Sequence, residues 1–121
     1  MKFDEHKPIY LQISDSICEK ILSNEYPEGE RIPSIRELGG LLGVNPNTVM
    51  RSYEHLKSMD IIYDKRGVGF FTAANAKREI KKMYKKEFID NELPEIIKKM
   101  KLLDIEVEEM ISIIQSRISD L

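Results

Sequence analysis

The chain has little of what a secreted, membrane-embedded or disulfide-stabilised protein needs. It contains one cysteine and no tryptophan among 121 residues. A lone cysteine excludes an internal disulfide and is typical of a reducing cytoplasm. No apolar run approaches the roughly 20 residues that a membrane span needs, and the first residues lack the apolar stretch of a secretory signal. We therefore expect a soluble, cytoplasmic protein without a membrane partner.

The residues that build common catalytic and metal sites are also scarce. The two histidines, His6 and His55, lie far apart in the sequence, and Cys18 has no neighbouring histidine. Cys18 lies instead among regularly spaced isoleucines, a pattern typical of a core cysteine. The sequence has no metal-ligand spacing and no phosphate-binding loop. It therefore predicts no catalytic residue, no metal and no cofactor, and a protein that is not an enzyme.

What is present fits one small, helix-rich domain, or such a domain with an appendage. Hydrophobic residues make up 41% of the chain and charged residues 33%, as in folded, soluble proteins. The net charge of −2 does not decide whether the chain binds nucleic acid, because binding depends on where the charge lies. Residues 31–69 contain six basic and four acidic residues, a local surplus of two positive charges.

The first helical pattern begins after Pro8. Isoleucines recur every fourth residue from Ile9 to Ile21, and Tyr10 widens the apolar stripe. This spacing predicts an amphipathic helix over about residues 8–24. The prolines and glycine of "NEYPEGERIP" then predict an ordered loop.

A second helix is predicted between a capping box and a glycine stop. Ser34 and Glu37 have the spacing of the capping box, and Gly43 follows the last apolar residue, as in many helix C-termini. The stripe expected to be buried consists of Ile35, Leu38, Leu41 and Leu42.

A third helix follows almost at once, in "GVNPNTVMRSYEHL". Asn45 is a good N-cap and Pro46 a good first helical residue. The residues expected to face the core are Val49, Tyr53 and Leu56, and those expected on the other side are Asn47, Thr48, Arg51 and His55. Two helices joined by a short turn with glycine form a helix-turn-helix, and short polar groups plus one arginine suit DNA. The alternative is that Asn47 and Thr48 only cap the helix.

A hairpin is predicted directly after the third helix. The segment "IIYDKRGVGFFT" reads as two apolar strands around a turn. Its tip contains Lys65, Arg66 and Gly67, which could contact phosphates; an ordinary solvated hairpin is the alternative. The order of these elements predicts a winged helix-turn-helix, a mainly α fold with a small β-hairpin.

These segments resemble the GntR family of bacterial transcription regulators. The motifs "IPSIREL", "LGVNPNTV", "RSYEHL" and "RGVGFF" are similar, in order and spacing, to its DNA-binding domain across roughly residues 8–72. The Asn-Pro-Asn-Thr turn and the short tail resemble the YtrA-like group. Two departures are Gly39-Gly40, where the family usually has larger residues or alanine, and Asp60, where glycine is frequent. The double glycine should weaken the second helix.

The resemblance implies which residues contact DNA. Arg36 of the second helix and Arg51 of the third would contact it, with Asn47 and Thr48 at the tip of the recognition helix. The wing at Gly67–Gly69 would enter the adjacent minor groove or lie on the backbone. The YtrA-like group mostly represses its own operon, often one for an ABC transporter, so the resemblance implies a repressor.

Residues 76–121 are predicted to form a helical dimerisation tail behind a DNA-binding domain of residues 1–75. The expected helices cover about residues 76–91, a short segment after a break at Pro94, and a last helix capped by Asp104. The last helix carries an apolar stripe at Val107, Ile111, Ile114 and Ile118, with a spacing similar to that of coiled coils. We expect the stripe to pair with a second copy; the alternative is that the tail folds back on its own domain.

The favoured function is therefore a regulator that binds a palindromic double-stranded DNA operator as a homodimer. A winged-helix protein–protein adaptor without DNA binding is the alternative. The basic residues between 77 and 86 are either a second DNA contact or a solvated helix face. A small-molecule effector at the dimer interface is compatible with the sequence but is not indicated by it.

Overall fold

The computed structural model describes residue 3 and residues 6–121 of the chain. It divides into two compact units, residues 1–82 and 83–121. Residues 1, 2, 4 and 5, with which the predicted DNA-binding domain begins, lie outside the described part. The elements of the first unit are α1 (Ile9–Leu22), α2 (Ile35–Leu42), α3 (Pro46–Ser58), β1 (Ile62–Lys65), β2 (Gly69–Thr72) and α4 (Ala76–Glu87), which continues into the second unit.

The helix ends of the first unit follow from side-chain caps. The Glu37 N–H donates to the Ser34 hydroxyl at 3.1 Å, and the Ser34 N–H donates to the Glu37 carboxylate at 3.2 Å. The side-chain hydrogen bond with Ser34, and then the backbone one, lower the pKa of Glu37. Gly43 ends α2 with φ of 67°, a conformation that glycine adopts without strain. The Asn45 side chain accepts from the Asn47 N–H and caps α3. The predicted caps of α2 and α3 are confirmed.

The core of the first unit forms where α1 packs on α3. Buried side chains of both helices meet there, and α2, the hairpin and α4 add others. The predicted inward face of α3 is confirmed. That of α1 is confirmed at Ile13, Ile17 and Ile21 and wrong at Ile9, which lies in the first turn and is 44% exposed. Cys18 is buried among them, as predicted. The fully buried large side chains include Ile13, Ile17, Ile21, Ile32, Val49, Tyr53, Leu56, Ile61, Ile62 and Ile80.

The predicted stripe of α2 is wrong at Leu41, which is 75% exposed. The buried residues of α2 are Leu38 and Gly39, and Leu41 lies about 200° around the helix from Gly39. A Cβ at Gly39 would lie 3.1 Å from the Val44 carbonyl oxygen. The side of α2 with Leu38 and Gly39 is the buried one, so Leu41 faces solvent. The close approach gives Gly39 a packing role that helix propensity alone does not reveal.

The predicted hairpin is confirmed as two antiparallel strands, with Ile62 opposite Thr72 and Lys65 opposite Gly69. The Val68 N–H donates to the Lys65 carbonyl at 2.8 Å and closes the turn. The loop after α1 runs along the other edge of β2, where the Ile32 N–H donates to the Phe70 carbonyl at 2.9 Å. Asp60, just before β1, has φ of 59°, which explains why glycine would be favoured there.

The second unit contains the end of α4, a π-helical turn at Phe88–Glu92, α5 (Leu93–Leu102) and α6 (Val107–Ser119). The predicted break at Pro94 is wrong. Pro94 lies in the first turn of α5, where its missing N–H costs little. The Leu93 N–H reaches back to the Phe88 carbonyl, so the wider turn carries the helix up to the proline.

The predicted cap at Asp104 is also wrong. Asp104 has φ of 56°, which places it in the left-handed region of the loop before α6. Glu106 occupies the N-cap position of α6 instead. In residue 3 and residues 6–121, no helix is both long and apolar enough to cross a membrane.

Tyr53 yields a prediction about stability. Its hydroxyl donates to the Pro33 carbonyl at 2.5 Å, its ring meets Phe70 edge-on, and burial raises its pKa well above the ordinary value. We expect Tyr53→Phe to cost about 1 kcal/mol of unfolding free energy at neutral pH, because the hydrogen bond is lost.

The cost of Tyr53→Phe should depend on pH. A raised pKa in the folded chain means that the stabilisation is fully present below the unfolded pKa, about 10, and is lost as pH rises above it. Urea unfolding of the wild-type chain and of Tyr53→Phe should therefore show a smaller difference in unfolding free energy at about pH 11 than at about pH 8. Tyr63→Phe, at an exposed ring, is the control. A difference in unfolding free energy that is the same at both pH values contradicts the prediction.

Candidate nucleic-acid interface

One face of α3 is left open to solvent by the packing of the other. Val49, Tyr53 and Leu56 are buried, so the rotation of the helix is fixed by apolar contacts. The opposite side carries the four α3 residues that the sequence nominates. Asn47 and Arg51 are exposed, and Thr48 and His55 are partly exposed.

The N-terminus of α3 is capped from the turn that precedes it. The Asn45 side-chain oxygen accepts from the Asn47 N–H at 2.8 Å, and its carbonyl accepts from the Thr48 N–H at 2.9 Å. The capping side chain is therefore that of Asn45. The side chains of Asn47 and Thr48 are not needed for this purpose, which weakens the interpretation that they only cap the helix.

Arg51 and His55 both contact the ring of Tyr10 in α1. The Arg51 guanidinium carbon lies 4.0 Å from the ring centroid, and the His55 ring meets the same ring edge-on at 6.0 Å between centroids. The sequence places Tyr10 only in the apolar stripe of α1. Its contact with the open face of α3 is visible only once the two helices are packed.

The tip of the hairpin is basic and exposed. Lys65, Arg66 and Gly67 all face solvent, and Gly67 has φ of 77°, which glycine adopts readily in a tight turn. The Lys65 ammonium lies 5.6 Å from the centroid of Phe71, whose ring stacks on Tyr63 at 5.5 Å. One face of the hairpin thus combines an aromatic pair with a cation.

Arg31 belongs to the same face, which sequence reasoning missed. It pairs with Phe71 across the edge of β2, and a Cβ at Gly69 would lie 2.8 Å from its Nε atom. The signal in the sequence is the glycine itself, whose neighbour is identified only by the pairing of the loop with β2. Arg36, by contrast, is exposed in the first turn of α2.

The described residues contain no group of three or more His, Cys, Asp or Glu side chains placed to hold a metal ion. A cavity of about 250 Å³ lies between α3 and the hairpin. Its lining combines apolar and charged side chains and includes Ile35, Met50, Tyr53, Glu54, Lys57, Asp64 and Phe70.

Comparison with known proteins identifies this arrangement. Residues 9–72 match the model of the bacterial regulatory proteins of the gntR family, a segment that runs from α1 to the end of the hairpin. The chain belongs to the GntR family. It is a DNA-binding transcriptional regulator, and the family is one of regulators rather than of enzymes.

Relatives of this GntR-family chain extend beyond the matched segment. The HTH-type transcriptional regulator YhcF of Bacillus subtilis is 37% identical over 110 residues, which cover 91% of this chain and 89% of that protein. The HTH-type transcriptional repressor YtrA of the same organism is 33% identical over 103 residues, which cover 85% and 78%. The predicted resemblance to the GntR family and its YtrA-like members is confirmed.

Solved structures of GntR regulators share the fold. A GntR-family regulator from Bacteroides thetaiotaomicron aligns with a TM-score of 0.85 and 43% identity over 92% of this chain and 97% of that one. The DNA-binding domain of AraR, in complex with operator ORR3, aligns with a TM-score of 0.55 and 26% identity over 60% of this chain and 88% of that one. The predicted fold, mainly helical with a two-stranded wing, is confirmed.

Proposed function

We propose that this GntR-family regulator is a repressor that binds a palindromic operator as a homodimer in the bacterial cytoplasm. The observation that supports it best is the open face of α3, fixed by core packing and flanked by the basic tip of the wing. In this proposal α3 is the recognition helix, and each copy in the dimer supplies one.

The start of α3 would approach the DNA most closely. A helix N-terminus carries partial positive charge, which favours a nearby phosphate. Asn47 and Thr48 are short, so the helix can lie close to the major groove. Arg51, one turn further on, has the reach and the paired donors to bind a guanine edge, and His55 extends the same face.

The wing and α2 would contact the DNA backbone. Lys65 and Arg66 extend from the turn, Gly67 permits a close approach, and Arg31 adds a guanidinium to the same hairpin. Arg36 would contact the DNA from the first turn of α2. Such phosphate contacts position the protein and contribute affinity, whereas base contacts provide discrimination.

The names of two relatives agree with this proposal. YtrA of Bacillus subtilis is a transcriptional repressor, and the AraR domain was crystallised with its operator. The winged-helix adaptor without DNA binding remains the second candidate. It has no specific observation in its favour beyond the general versatility of the fold.

The tail would hold two copies together. We propose that residues 76–121 form the dimerisation region behind a DNA-binding domain of residues 1–75. Val107, Ile111, Ile114 and Ile118 of α6 are 47–62% exposed, and apolar side chains lined up on one helix face are typical of a surface that another helix covers. Joining two copies makes the second half-site contact intramolecular, which raises the affinity for a two-part operator.

DNA selection tests the proposed function directly. Duplexes selected by the protein from a random pool should contain an inverted repeat, with half-sites about one helical turn apart. Affinity for the selected duplex should fall steeply between low and physiological salt, because several phosphates are neutralised. Equal affinity for random duplex, or affinity that does not change with salt, would support the adaptor instead.

Substitutions should distinguish the residue that contacts a base from the residues that contact phosphates. We expect Arg51→Ala to reduce discrimination between the selected operator and random duplex by about 1–3 kcal/mol, because a base contact is lost. Lys65→Ala and Arg66→Ala should weaken both duplexes alike and lower the salt slope. Binding titrations at two salt concentrations decide it. If Arg51→Ala weakens both duplexes equally, Arg51 only contacts phosphate.

The tail prediction compares two double variants of α6. Ile111→Asp with Ile114→Asp would place two charges in an apolar interface, which costs several kcal/mol. We expect a monomer by sedimentation, with the first unit still folded and tight operator binding lost. Ser112→Asp with Ser116→Asp adds the same charges on the opposite side of the helix and should remain a dimer. A dimer that survives the isoleucine changes, or a monomer that still binds the operator tightly, contradicts the assignment and favours a tail that covers its own domain.

A further inference from the structure

Tyr10 has no role in the function proposed so far, yet it lies under the residue assigned to base reading. It is the second residue of α1 and is only partly buried. Two residues of α3 contact its ring. The guanidinium of Arg51 lies 4.0 Å from the centroid, and the ring of His55 contacts it edge-on with an interplanar angle of 89°.

The backbone of Tyr10 is hydrogen-bonded to α3, next to Arg51. The Ser52 hydroxyl donates to the Tyr10 carbonyl at 2.6 Å, and the Ser14 hydroxyl donates to the same oxygen at 2.9 Å. Both serines are buried, and Ser52 directly follows Arg51 in the chain. The bond from Ser14 lies within α1, and the bond from Ser52 links α1 to α3. One buried hydrogen bond between the helices therefore holds the backbone of Tyr10 next to Arg51, in addition to the side-chain contact.

A ring in this position changes what the arginine can do. A free arginine side chain samples many rotamers, and ordering it on DNA costs conformational entropy. An aromatic ring under the guanidinium contributes about 0.5–1 kcal/mol at an exposed site. A guanidinium that stacks on a ring uses its face for the contact and keeps its N–H donors free in the plane, which is the geometry that a bidentate base contact requires.

We propose that Tyr10 is a positioning residue for Arg51: its ring holds the guanidinium plane so that the in-plane donors meet a base edge. The proposal rests on the function proposed above, in which α3 reads the operator. It makes α1, otherwise a core helix, part of the specificity of the regulator. Tyr10 would affect the ratio of operator to random-duplex affinity through Arg51.

The experiment is a double-mutant cycle on the full chain. Tyr10→Leu and Tyr10→Phe are each made with Arg51 present and with Arg51→Ala, and every protein is titrated against the duplex selected by the wild-type chain and against random duplex. Tyr10→Leu should lower the affinity ratio about fivefold, the equivalent of about 1 kcal/mol. Tyr10→Phe, which keeps the ring, should preserve the ratio. In the Arg51→Ala background, Tyr10→Leu should have no further effect on it.

Two controls keep the result interpretable. Tyr26→Leu removes another ring that lies under a cation, Lys20 at 5.4 Å, away from the open face of α3, and should leave the ratio unchanged. Thermal unfolding of each variant reports whether the first unit is folded. If Tyr10→Leu does not fold, Tyr10→Met decides, because it also removes the ring while keeping a flexible apolar side chain: the ratio must fall in Tyr10→Met and survive in Tyr10→Phe.

Several outcomes overturn the inference. They are an unchanged ratio in Tyr10→Leu, an equal fall of the ratio in the Arg51→Ala background, and an equal loss in Tyr10→Phe and Tyr10→Leu, which would implicate the hydroxyl. A wild-type chain that discriminates and needs Arg51 but not Tyr10 defeats this inference alone. A wild-type chain without any sequence preference defeats the proposed function and, with it, the role of Tyr10.

Discussion

The packing of α1 on α3 is the contact on which the rest of the first unit depends. Ile13, Ile17 and Ile21 are buried against a helix whose own buried residues include Val49 and Leu56. Each such side chain contributes about 1.5–3 kcal/mol by leaving water. Because these contacts fix the rotation of α3, they also determine which of its residues face solvent. The open face is thus a consequence of the core.

The same helix is tied to its surroundings on several sides. The Tyr53 hydroxyl donates to the Pro33 carbonyl, and its ring meets Phe70 of the wing. Ser52 reaches the backbone of α1. A rigid α3 suits its proposed role, since DNA reading requires side chains that are held before the DNA arrives. The wing is held to the same framework, because the loop after α1 is hydrogen-bonded along the outer edge of β2.

The second unit raises a different physical question. Its exposed apolar side chains include Phe88, Ile89, Ile96, Leu102, Ile111 and Ile118. Among the described residues, none in α5 or α6 is buried. Apolar surface of this extent is unusual on a monomeric protein. A second copy would cover it and would align two recognition helices, so one interface would serve both stability and the proposed binding.

By itself, the sequence determined the features that depend on local interactions. The caps at Ser34 and Asn45 and the stop at Gly43 were predictable because their bonds span only a few residues, and the inward face of α3 was predictable from its period. The open face, with Asn47 and Arg51, followed from that period, although the roles of these residues stay proposals. Only the tertiary structure decided where Leu41 and Arg31 lie and that the ring of Tyr10 contacts Arg51. The positions of Arg31 and Tyr10 depend on elements distant in sequence, β2 and α3, which no local pattern encodes. Leu41 was mispredicted because the packed side of α2 includes Gly39, which an apolar stripe does not count.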